Sequence, residues 1–107
     1  MKTTLTLTLL AAAVIAGPAY AGGNAEAGKA KSTTCAGCHG PDGNSTSPMF
    51  PKLAGQHPDY LLQALKSYKS GTRKNAIMNG QAAALSEQDM ADLAEFFGHQ
   101  KGLRTKY

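Results

Sequence analysis

The chain has 107 residues, with eleven Lys and Arg against seven Asp and Glu, a formal charge of +4 at pH 7, and 42% hydrophobic residues. That length suits one small domain. The basic excess is mild and scattered, without aromatic–basic repeats, which argues against a nucleic-acid surface and suits docking to an acidic protein.

The first residues read as a secretory leader over 1–21. Met1-Lys2 is a short positive start, Leu5 to Ala16 is an apolar run, and Ala19-Tyr20-Ala21 matches an A-x-A cleavage site. A membrane anchor is the competing reading, but the run is twelve residues long and broken by threonines. A spanning helix needs about twenty. The domain is then 22–107: 107 residues less 21 leave 86, with ten basic and seven acidic groups and a charge of +3. Export places it in an oxidising compartment, and a bacterial periplasm is the expected location. No other stretch is long or apolar enough to cross a bilayer. The mature chain is therefore expected to make no stable membrane insertion and to act as a monomer. At this size the apolar core is thin, and such chains often recruit a metal, a disulfide or a prosthetic group.

Asn24 is the expected N-cap of a helix running from Ala25 to about Cys35, with Glu26 in its first turn. Small residues at Ala27, Gly28 and Ala30 permit close helix packing. Next comes Cys35-Ala36-Gly37-Cys38-His39, which holds both cysteines and one of the three histidines. C-x-x-C-H is the attachment pattern of a c-type haem. Two thiols three positions apart lie on one helical turn, where each can add to a porphyrin vinyl group. The imidazole that follows can offer Nε2 to iron. A thioredoxin-like pair belongs beside a βαβ pattern, and the chain shows no strand pattern. A zinc site needs about four ligands. Only His57 and His99 remain to complete one, and neither has a paired spacing.

Gly40 to Pro51 is dense in turn residues. Phe50 and Leu53 are expected to turn inward, and a carbonyl of this loop could accept from the His39 ring. Pro58 and Asp59 open a second helix with an apolar stripe at Leu61, Leu62, Leu65 and Tyr68, and Ser70-Gly71 ends it. Thr72 to Leu85 is the least regular stretch, with at most one helical turn at Asn75-Ala76-Ile77. Ser86 to Asp89 resembles a capping box. Met90, Leu93, Ala94 and Phe97 form the apolar face of a last helix, with Asp92 and Glu95 on its wet side. Gly102 to Tyr107 reads as a frayed basic tail. The expected fold class is all-α, with three to four helices and long loops wrapped around one covalent haem c.

The opposite face of the iron has several candidates. Met49 is close after His39, Met90 falls on an apolar helix stripe, and Met78 sits in an irregular loop far enough along to reach round the ring. Met78 is favoured, with Met49, His57 and an open site as alternatives. His57 and His99 read as surface histidines at helix ends.

At this point the chain resembles the small class I cytochromes c of bacteria. It is similar to each half of the periplasmic dihaem cytochromes of the c-four type and to their monohaem relatives. The likeness rests on Ala27-Gly28-Lys29, Cys35 to Gly40, Asp42-Gly43-Asn44, Phe50 to Gln56, Tyr60-Leu61, Arg73 leading to Met78, Leu85-Ser86 with Asp89, and Leu93-Ala94 with Phe96-Phe97. It covers nearly all of the mature chain. It implies a class I cytochrome c fold with first and last helices crossing. It also implies Cys35, Cys38, His39 and Met78 as cofactor-binding residues, His39 and Met78 as metal ligands, and the Pro48 carbonyl as acceptor from His39. A single C-x-x-C-H departs from the dihaem pattern.

The function that follows is a one-electron carrier between redox-protein donors and acceptors, not an enzyme, and with no nucleic-acid partner. The alternatives are a haem protein whose labile sixth site binds a gas or peroxide, and a dithiol protein without haem.

Overall fold

The computed structural model describes residues 22–104 together with Thr3, Thr4, Thr6, Thr8 and Ala11. The leader reading and its cleavage site otherwise lie outside the described residues, as do positions 105–107. Among the described residues there are five helices and no strand: α1 Ala25–Lys31, α2 Thr33–His39, α3 Pro58–Ser70, α4 Ala76–Ala83 and α5 Glu87–Gly98. No helix among them is long and apolar enough to cross a membrane.

The all-α architecture matches expectation, and two local causes raise the helix number. The first helix stops at Lys31 because Ser32 turns both its hydroxyl and its N–H onto the Lys29 carbonyl, at 2.7 and 3.2 Å. Such local side-chain bonds compete with helix propagation. The attachment motif thus rides on its own short helix, α2. The stretch read as irregular contains a full helix, α4, because Asn75 caps it by accepting from the Met78 N–H at 3.0 Å. Elsewhere the ends fall where the residues place them. Asn24 accepts from Ala27 N–H, Pro58 opens α3, Gly71 closes it at φ 84°, and Ser86 and Asp89 form a reciprocal capping box.

Helix α1 crosses α5, α3 packs along α5, and α4 packs on α3. The buried cluster is Leu61, Leu93, Ala94, Phe96 and Phe97, with Cys35, Leu53, Leu62, Leu65 and Leu85 around it. Phe96 and Phe97 meet edge to face at 5.0 Å. The crossing is close because Gly28 has no side chain to interpose.

Asp92 departs from the sequence reading. It does not lie on the wet side but is buried, 2% exposed. Its carboxylate accepts from the Asn24 N–H at 2.7 Å, the Gln88 amide at 2.8 Å and the Lys31 ammonium at 2.5 Å. Lys31 also reaches Asp89 at 2.9 Å. Burial pushes the Asp92 carboxyl up, but the Asn24, Lys31 and Gln88 donors outweigh it and hold it below its ordinary value. The Ser86 N–H, followed by Lys31, holds Asp89 at about 2. One charge cluster thus fastens the start of the domain to its last helix.

The long loop after α2 is closed by Gly43, whose carbonyl accepts from Leu53 and Ala54 N–H at 2.8 and 3.2 Å. Gly43 has φ 83°, and a Cβ there would meet Phe97 Cδ1 at 2.8 Å. Only glycine suits both conditions. Beyond α5 the tail is tied down as far as Leu103, whose N–H reaches the Ala54 carbonyl at 2.7 Å.

Candidate functional site

Helix α2 presents Cys35, Cys38 and His39 within its last two turns. Cys35 is half-buried and Cys38 is exposed, and the two are not joined in a disulfide. Burial pushes the Cys35 thiol up, against a smaller lowering by Thr34. Among the described residues no three His, Cys, Asp or Glu side chains come together as a metal cage, so a protein-only zinc centre has no donor set there.

His39 ends α2 and is 7% exposed. Its Nδ1 lies 2.8 Å from the Pro51 carbonyl oxygen. A carbonyl can only accept, so Nδ1 carries a proton, and in the neutral imidazole the lone pair then lies on Nε2. That is the state a metal-binding imidazole requires, with its outer nitrogen oriented by a backbone acceptor. The Phe50 ring stands edge-on to the imidazole at 6.4 Å.

The acceptor is Pro51, whereas the resemblance implied Pro48. Ser45 to Phe50 forms a turn of its own, with Ser45 Oγ on the Ser47 carbonyl at 3.0 Å and Phe50 N–H on the same oxygen at 3.2 Å. The chain reaches the imidazole only after that turn, just before Leu53 and Ala54 are drawn to Gly43. Loop composition offered two prolines three residues apart and no way to choose between their carbonyls.

Met78 stands on a different element, as the third residue of α4, and is half-buried. Its rivals are otherwise placed. Met90 is core at 3% exposed, and Met49 is 82% exposed in the loop. His99 stands at the end of α5 with Nε2 2.8 Å from Glu95, and His57 occupies the N-cap position of α3 without a capping bond from its side chain. Helix α2 thus brings together two thiols and one imidazole, the donors that suit attachment of a covalent haem, while the Met78 thioether stands apart on α4.

The sequence model of the cytochrome c family matches residues 25–101. The chain belongs to the cytochrome c family. It is 47% identical over 97 residues to cytochrome c4 of Pseudomonas aeruginosa, covering 91% of this cytochrome and 48% of that protein. It is 42% identical over 82 residues to cytochrome c-554(548) of Halomonas halodenitrificans, covering 74% of this cytochrome and 99% of that one. The crystal structure of reduced recombinant cytochrome c4 from Pseudomonas stutzeri superposes with a TM-score of 0.72 at 47% identity, covering 76% of this cytochrome and 47% of that chain. This cytochrome spans about half the length of the cytochrome c4 relatives and nearly all of c-554(548). The family is one of haem-binding electron-transport proteins, and its cofactor is covalent haem c. Cys35 and Cys38 of this cytochrome fit the attachment motif.

Proposed function

We propose that this cytochrome is a periplasmic one-electron carrier, exported by a leader over 1–21 and folded over 22–107. Cys35 and Cys38 form the two thioethers, His39 Nε2 is one axial ligand and Met78 sulphur the other. Bound haem supplies a one-electron Fe(III)/Fe(II) couple. The single observation that supports the reading is the His39–Pro51 bond, which puts a proton on Nδ1 so that the neutral ring can offer Nε2 to a metal. Pro51 holds the ring plane, Phe50 flanks it, and the buried setting of His39 limits water at that nitrogen. Met78 is favoured on the opposite side because Met90 is committed to the core, Met49 stands 82% exposed in the loop and His57 is at the head of α3. Were His39 and Met78 both to hold the iron, no open position would remain for a substrate, in keeping with a carrier and not an enzyme. The mild positive charge suits encounter with acidic redox proteins as donors and acceptors.

Two spectra test the reading. A pyridine haemochrome of the purified exported protein should show one haem c. The oxidised protein should show the near-infrared Met–Fe(III) charge-transfer band. Absence of that band, with ready carbon monoxide binding by the reduced form, would replace the carrier with a protein having a labile sixth site.

A further inference from the structure

We propose that Asn79 is a positioning residue for Met78: its carboxamide hangs the Met78-bearing turn from α3 and so sets how readily the thioether yields its place to an outside ligand. The proposal rests on the reading of Met78 as an axial ligand.

Asn75 and Asn79 hold one another. The Asn79 N–H donates to the Asn75 carbonyl at 2.7 Å, and the Asn75 N–H donates to Asn79 Oδ1 at 3.0 Å. The side chain of Asn75 accepts from Met78 N–H at 3.0 Å, so the residue between them is held at its backbone. The Asn79 amide nitrogen then reaches outside the turn. It donates to the Tyr68 carbonyl at 2.7 Å and to the Arg73 carbonyl at 2.9 Å. These partners settle the amide orientation, because the carbonyls can only accept and the Asn75 N–H can only donate.

The two carbonyls are firm anchors. Tyr68 is in the last turn of α3, and its carbonyl accepts from the Gly71 N–H at 3.3 Å as well as from Asn79, using both lone pairs. Arg73 is folded back onto the same helix. Its N–H meets the Ser67 carbonyl at 3.1 Å, and its guanidinium lies over the Tyr68 ring at 4.9 Å and near Tyr60 Oη at 3.4 Å. Helix α4 needs such anchoring. It contains Asn79-Gly80, and glycine alone costs about 1 kcal/mol in a helix interior. A neutral thioether brings no charge to its bond, so its retention depends on how far the backbone carrying it can move.

Asn79→Asp is the sharp test, because it keeps the acceptor oxygen and the shape but removes both donors and sets a carboxylate against two carbonyls. The probe is imidazole titrated into the ferric holoprotein, read by loss of the near-infrared Met–Fe(III) band. Asn79→Asp and Asn79→Ala should each raise the apparent imidazole affinity about tenfold or more, within the 10- to 100-fold range typical of residues that orient metal ligands. Asp92→Asn, which loosens the distant α1–α5 crossing, should leave that affinity within about twofold. An Asn79→Asp protein that binds imidazole like wild type would overturn the proposal. So would an equal rise in Asp92→Asn, which would mark Asn79 as merely structural. If the wild-type holoprotein lacks the band, the Met78 reading itself fails and this inference falls with it. Should neither Asn79 variant accumulate with haem, the wild-type protein decides. Slowly exchanging Asn79 carboxamide protons support the clasp, and exchange at the rate of a solvated amide overturns it.

Discussion

A Cβ on Gly28 would stand 2.0 Å from the carbonyl oxygen of Asp92. It would also stand 2.8 Å from Phe96 Cβ, so neither neighbour is a flexible tip that can swing away. Gly28→Ala should therefore force α1 off α5. Overpacking costs about 1–3 kcal/mol or more, and the alanine's better helix propensity returns about 1 kcal/mol. Because the clash is with backbone, the upper end applies, and a net loss of about 2 kcal/mol is expected, measured as a lower denaturant midpoint at unchanged slope in the haem-loaded protein. A midpoint equal to wild type would contradict so tight a crossing.

The Asp92 cluster should make the domain acid-sensitive. Both Asp92 and Asp89 sit below the ordinary carboxylate range in the folded chain. Their contribution is complete above the unfolded value of about 4 and is lost as pH falls through the folded values. Asp89 places the lower end at about 2. Thermal stability should thus decline between about pH 4 and pH 2. Asp92→Asn keeps one acceptor oxygen but turns an NH2 toward the Lys31 ammonium. At neutral pH it should lose about 1.5–3 kcal/mol, the range for hydrogen bonds to charged groups. Its acid decline should be shallower than that of wild type.

What the sequence disclosed and what it hid divide along one line. Local chemistry was readable. The C-x-x-C-H spacing, the Asn24 and Ser86 caps, Pro58 at the head of α3 and Gly71 at its end all depend on residues within four positions. What needed a distant partner was not. Asp92 looked solvated because a single apolar stripe was drawn on α5, yet that helix packs on α3 along one side and α1 along another. Its buried arc is wider than the stripe. Helix α4 looked irregular because Asn79-Gly80 is poor helix material, and its bonds to Tyr68 and Arg73 lie outside any local window. An asparagine followed by glycine beside a candidate ligand was the one available hint. The choice between Pro48 and Pro51 turned on how Gly43 recaptures the chain.

Replacing the thioether tests the axial assignment. Met78→Ala should abolish the near-infrared band, allow carbon monoxide to bind the reduced form, and lower the reduction potential. The drop should be on the order of 0.1 V, a modest part of the roughly 0.8 V over which axial ligands move haem potentials. An unchanged spectrum would move the ligand to another residue, with Met49 and His57 next in line.

Haem-free protein should be largely unfolded. The buried cluster of Leu61, Leu93, Ala94, Phe96 and Phe97 is small, and domains of this size rarely hold on such a core alone. Far-ultraviolet dichroism of the apo form should show little helix and no cooperative melt. A transition matching that of the holoprotein would show that the polypeptide suffices. Cys35→Ala, left with one thioether, should give a holo form that melts below wild type.

The salt link from Lys31 to Asp92 joins positions 61 residues apart. Closing so long a span is entropically slow compared with forming any single helix. A polypeptide delivered amino end first therefore cannot latch until its final helix has arrived. Until then α1, with α2 following it, lacks its fastening to α5. The latch thus makes closure of the α1–α5 contact wait for α5, and a chain truncated before residue 92 would never close it.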